Sequence, residues 1–126
     1  MFSWSVTDVA DALQRAAERG VVVRVVLDGQ LTDDTSRAIA TLRSAPLDDL
    51  VFCGTSSATV SGSTACVANY GTSINHNKIF TFSTSGSWKR VVMVTSQNMT
   101  YTQDNLFNNA VVVHEDYDLY DHYTAY

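Results

Sequence analysis

Over residues 8–19 apolar side chains recur with the period of a helix, Gly20 ends that period, and Val21-Val22-Val23-Arg24-Val25-Val26-Leu27-Asp28 follows at once. An amphipathic helix feeding directly into a nearly continuous apolar strand commits the chain to a layered α/β architecture, because such a strand must be covered on both faces. In the helix Val9, Ala12, Leu13, Ala16 and Ala17 fall at helical spacing, Ser5 or Thr7 can cap its start, and Gly20 can close it. If a strand precedes the helix, the connection is a right-handed crossover to a parallel neighbour. Met1-Phe2-Ser3-Trp4 reads as only the tail of that strand, so the chain is expected to begin inside its domain, truncated at the N-terminus.

Residues 33–44 predict a second helix with Ala38, Ile39 and Leu42 inward, closing near Pro46, and residues 50–53 a short second crossover strand. Residues 79–83 and 90–95 predict a hairpin, residues 110–114 a last strand, and residues 116–126 a terminal helix with Leu119 and Tyr123 inward. Strands alternating with helices, then paired strands, predict an α/β sandwich in one domain spanning residues 1–126. At 126 residues and 45% hydrophobic the chain can build a real core. No apolar run approaches the length of a membrane span, and the opening residues do not read as a signal peptide.

Two short stretches carry the chemistry. In His76-Asn77-Lys78 the alternation of side chains on an extended backbone puts imidazole and ammonium on one face and Asn77 on the other. An imidazole can attack phosphorus and form a covalent phosphoryl-histidine, while a neighbouring cation neutralises the non-bridging oxygens. In Thr95-Ser96-Gln97-Asn98, Ser96 and Asn98 share a face for the same reason and can donate hydrogen bonds to those oxygens.

Together these residues resemble the phospholipase D superfamily motif, His-x-Lys-x4-Asp followed by Gly-Ser-x-Asn, with matches at His76, Lys78, Ser96 and Asn98. The flanking stretches 12–28 and 108–120 also resemble this superfamily, so the likeness covers nearly the whole chain and is weakest over residues 54–73. Two positions depart from the motif: Ser83 stands where the aspartate belongs, and Ser85-Gly86-Ser87-Trp88-Lys89 extends the spacing to Thr95. A hydroxyl at Ser83 can supply a hydrogen bond but no negative charge. The chain resembles the secreted actinobacterial type of the superfamily, and that resemblance implies that the serine is a subfamily trait rather than a dead site. Asn109 stands where many relatives carry a supporting glutamate; a hydrogen bond near His76 is the expected role, with a plain turn residue as the alternative.

The resemblance implies a phospholipase D-like α/β/α sandwich with a mixed, mostly parallel sheet flanked by helices, forming one half of a bilobal or dimeric unit. It implies a phosphodiesterase in which His76 attacks phosphorus, Lys78 neutralises charge, and Ser96, Asn98, Ser83 and Asn109 hold the substrate. No cofactor or metal is required by this chemistry. A second histidine must protonate the leaving alcohol. Neither His114 nor His122 lies in a second His-x-Lys, so the second half is expected from the same full-length protein or from a homodimer.

Charge bears on the substrate. All thirteen carboxylates lie outside residues 50–103, while Lys78, Lys89 and Arg90 fall inside that interval. A Ser/Thr-rich loop region needs no charge and would look the same; equally, a site for a phosphodiester anion excludes carboxylates. The net charge of -5 and a pI near 4.8 oppose nucleic acid, so phospholipid is the expected substrate. A homodimeric endonuclease and a noncatalytic phosphate-binding half-domain are the alternatives. Trp88, in the extended turn, is the aromatic placed to meet lipid or substrate; the others read as packing residues.

Cys53 and Cys66 bracket a Ser/Thr/Gly-rich stretch. Two reduced thiols are the expectation inside a cell, but the resemblance points to secretion, where a disulfide closing a loop of roughly 15 residues would stabilise by about 3 kcal/mol. No Cys or His lies at metal-ligand spacing from either thiol.

Overall fold

A computed structural model describes residue 1 and residues 3–54, 63–67 and 73–125. The chain forms two compact units: Met1–His76 with Asn98–Asn105, and Asn77–Gln97 with Leu106–Tyr126.

In the first unit, α1 (Thr7–Glu18) ends in a Schellman closure: Gly20 takes φ +83° and donates to the Ala17 carbonyl, and Val21 donates to that of Ala16. The expected N-cap is not formed. Val6 holds the cap position without a side-chain hydrogen bond, and the buried face centres on Ala10 while Ala12 is exposed. The apolar run after Gly20 yields only a four-residue strand, β1 (Arg24–Leu27), with Val25 and Leu27 buried and Val21 and Val22 left exposed. It pairs in parallel with β2 (Asp49–Phe52), Arg24 opposite Asp49 and Leu27 opposite Phe52.

Between these strands α2 (Arg37–Ser44) buries Ala38, Ile39 and Leu42, the three residues expected inward, and packs on α1. It starts four residues later than its periodicity predicts. A 3-10 turn (Gly29–Leu31) precedes that stretch, and within it the Asp34 carboxylate accepts from the Ser36 amide at 2.6 Å, as short polar side chains do when they compete with the helix. The N-terminal tail does lie along strands: Met1 exchanges hydrogen bonds with Val26 and Asp28, and Trp4 bridges Met99 in parallel. Cys53 and Cys66 are joined by a disulfide.

The second unit is an antiparallel sheet in the order β3-β4-β5, formed by β3 (Ile79–Ser85), β4 (Trp88–Thr95) and β5 (Ala110–Val113), with α3 (Tyr117–Thr124) against β3 and β4. The expected mixed, mostly parallel sheet is present in part: among the described residues there are one parallel and two antiparallel strand pairs, in separate sheets. The cause is local, since Gly86-Ser87 makes a two-residue hairpin, with Gly86 at the positive φ such a turn needs, and a hairpin can only be antiparallel. The supposed extra turn is thus mostly strand. Asp116 caps α3 by accepting from the Leu119 amide at 3.0 Å, and Leu119 and Tyr123 are half-buried.

One irregularity stands inside the hairpin. Pairing is intact at Phe82–Val91 and Thr84–Lys89 but is interrupted between them, at Ser83 and Arg90, where Arg90 adopts φ +53°. Its guanidinium lies 4.8 Å from the Tyr120 ring and 5.4 Å from that of Tyr117, with an Asp121 carboxylate oxygen at 3.3 Å, so the kinked backbone is held by a cation stacked on α3.

Candidate functional site

Each motif stretch is divided between the units. His76 and Asn98 belong to the first; Lys78, Ser83, Ser96 and Asn109 belong to the second.

In the second unit the end of the sheet where β3 begins gathers three of the four expected residues. The Thr95 amide donates to the Lys78 carbonyl at 3.0 Å, which carries the β3–β4 ladder back to Lys78. On the other side of β4, the Ser96 amide donates to the Asn109 carbonyl at 3.0 Å, and the Ser96 hydroxyl oxygen accepts from the Asn109 amide at 3.1 Å. That hydroxyl donates in turn to the Asn108 side-chain oxygen at 3.1 Å, and the Thr95 hydroxyl donates to the Asn109 carbonyl at 3.0 Å. Asn109 thus meets Ser96 through its backbone, a role that needs no particular side chain.

Lys78 is buried, with 3% of its surface exposed, and loss of water lowers its ammonium pKa from the usual 10.5. Low dielectric surroundings strengthen the field of that cation on an adjacent anion. The lowered pKa makes a signed prediction. Between the lowered folded value and the unfolded value of 10.5 the unfolded chain binds the extra proton, so stability contributed at this position rises as pH climbs through that window towards 10.5. Urea unfolding of the parent and of Lys78→Met should show the parent gaining relative to the variant over that range; a flat or falling difference would contradict the burial argument.

Ser83 is exposed and lies five residues along from Lys78, so alternation directs it to the opposite face of β3. It stands opposite the Arg90 kink, inside the hairpin. Ser83→Ala should change stability by less than about 0.5 kcal/mol, the usual range for an exposed side chain, as read by thermal unfolding.

In the first unit His76 is exposed and follows a tightly held residue. Asn75 is 4% exposed; its amide donates to the Asp28 carboxylate, and its side-chain nitrogen lies 3.4 Å from the Cys66 sulfur and 3.8 Å from that of Cys53. Asp28 is fully buried at the end of β1 and also accepts from the Gln30 amide at 2.9 Å. The sequence marks Asp28 only as the end of an apolar strand within the stretch that resembles the superfamily, with no site role, and it does not mark Asn75.

The Asn98 amide donates to the Gln103 side-chain oxygen at 3.3 Å, while the Asn98 side-chain oxygen is buried with no partner among the described residues. An acceptor left in that state is available to a hydroxyl or a protonated group of a ligand. Among the described residues, His, Cys, Asp and Glu side chains form no cluster of three or more suited to a metal, and no helix is long and apolar enough to cross a membrane.

Residues 1–126 match the family model described as cardiolipin synthase, PLD-like domain. No curated protein and no solved structure matches.

Proposed function

From the premise that the chain belongs to this phospholipase D-like family, whose members are generally phosphodiesterases working as paired halves or dimers, we propose that it is one half of a phospholipid-cleaving phosphodiesterase. The imidazole of His76 attacks phosphorus, the P–N bond forms, and the ester P–O bond to the leaving alcohol breaks. A histidine of the second half donates the proton to that alcohol. Water or another alcohol then attacks the phosphoryl-histidine, its proton passing back to the histidine of the second half, the P–N bond breaks, and the imidazole is free again. Lys78 balances the charge on the non-bridging oxygens, and Ser96 and Asn98 orient them.

The observation that supports this most is the placement of Lys78: a desolvated ammonium, two residues after the nucleophile, at the sheet end that also holds the Ser96 hydroxyl. The family description names an enzyme of phospholipid synthesis, and the acidic chain disfavours a polyanion, so phospholipid is preferred to nucleic acid. The disulfide between Cys53 and Cys66 supports an oxidising compartment and hence secretion.

The test is hydrolysis of phosphatidylcholine vesicles and of single-stranded DNA, each across a series of chain concentrations. Vesicle hydrolysis rising faster than linearly is expected, because two halves must meet. Preference for DNA would favour the endonuclease reading, and silence towards both, even with the second half supplied, would favour a phosphate-binding module.

A further inference from the structure

We propose that Asp28 is the positioning residue for the nucleophile, fixing His76 through the backbone of Asn75. The proposal rests on His76 being the attacking group, and its geometry lies wholly within the first unit.

Both oxygens of the Asp28 carboxylate are used, for different ends. One accepts from the Gln30 amide and caps the short turn Gly29–Leu31, a task that serine or asparagine performs equally well. The other accepts from the Asn75 amide, forty-seven residues away along the chain. A cap alone does not account for burying a full carboxylate at the end of β1, where desolvation is costly; a second backbone donor does. The bond is made to the residue directly before His76, so it fixes the peptide from which the imidazole projects. Asn75 is held from its side chain as well, by contact with both sulfurs of the Cys53–Cys66 bridge. His76 is exposed and follows a buried anchor, which is the arrangement expected of a reactive side chain on a rigid base.

Asp28→Asn tests this closely. An amide offers one acceptor oxygen where the carboxylate offers two, so in either orientation its NH2 group confronts one of the two backbone N–H donors. The expected result is a loss in kcat of about 10- to 100-fold with KM within about twofold, as for a misplaced reacting group. Independently of turnover, the His76 ring resonances, assigned by comparison with His76→Asn, should shift and broaden, and the Asn75 amide should lose its slow hydrogen exchange. Leu42→Ala, a core truncation in the same unit, supplies the control: it should lower the melting temperature yet leave the His76 ring resonances and kcat in place. If Asp28→Asn does not fold, Asp28→Ser, which keeps one acceptor, takes its place in the same measurements.

Parent-like ring resonances and kcat in the Asp28 variant would overturn the proposal. So would the same ring shift and kcat loss in Leu42→Ala, since the effect would then be general destabilisation. A parent chain inactive on every phosphodiester, but with a His76 ring released by Asp28→Asn, would remove the phosphodiesterase reading and leave the positioning role standing.

Discussion

Replacing His76 by asparagine should abolish turnover, by roughly 10^4-fold or more, because the group that forms the covalent bond is gone. Asparagine keeps a polar side chain of similar reach, so the fold should be retained and the melting temperature should stay within a few degrees. The decisive measurement is a denaturing quench during turnover of a radiolabelled phosphodiester. In the parent it should trap label on the chain in an acid-labile, base-stable linkage mapping to the peptide that contains His76, as a phosphoramidate requires. The variant should trap none. Turnover persisting in His76→Asn, or label mapping to a serine, would show that another nucleophile operates.

The largest structural effect is expected at Gly29. A methyl group there would overlap the carbonyl oxygen of Cys53 and sit 3.3 Å from the Cα of Thr64, and both obstacles are backbone. A flexible side chain can swing aside, but this backbone is tied by the Gly29 amide to the Thr64 carbonyl at 2.9 Å, by the Cys53 amide to the Leu27 carbonyl at 2.9 Å, and by the disulfide. Gly29→Ala should therefore cost about 3 kcal/mol or more, at the upper end of the range for overpacking. Gly20→Ala makes the contrast. Its Cβ would meet nothing within 4 Å, and only the strain of φ +83° opposes it, so its cost should be about 1 kcal/mol. Chemical denaturation of both variants checks the ranking; equal midpoints would mean that the Cys53 segment yields more easily than its hydrogen bonds imply.

Much of this was legible because period and punctuation are local. The spacing of Ala38, Ile39 and Leu42 marks one buried face, and Gly20 marks a helix end, whatever the rest of the chain does. Pairing is harder to read. The strands around Gly86-Ser87 were visible, but residues 84, 85, 88 and 89 read as a polar loop, because exposed strand residues carry no apolar alternation. The site divides in the same way. Chemistry-bearing types at short spacing, such as His76 and Lys78, are visible in sequence, and so is Ser96. The contact of Asn109 with Ser96 runs through the Asn109 backbone, which every residue possesses, and Asp28 reaches Asn75 across forty-seven positions, so a carboxylate closing an apolar strand is visible while its partner is not.

The pairing of Trp4 with Met99 has a consequence for the order in which the protein is made. Met99 accepts from the amides of Ser5 and Val6 and donates to the carbonyl of Ser3, so the first unit is completed by residues 98–105. A ribosome that has released residues 1–76 has not yet supplied that segment, and at about 5–20 residues per second the missing stretch emerges roughly 1.5–6 s later. Throughout that interval residues 3–6 lack their partner, while the β3–β4 hairpin, whose contacts are all local, is free to close as it emerges. Residues 3–6 thus wait for a partner that is made only after the β3–β4 hairpin, and synthesis stalled before residue 98 should leave them open to protease and to chaperones.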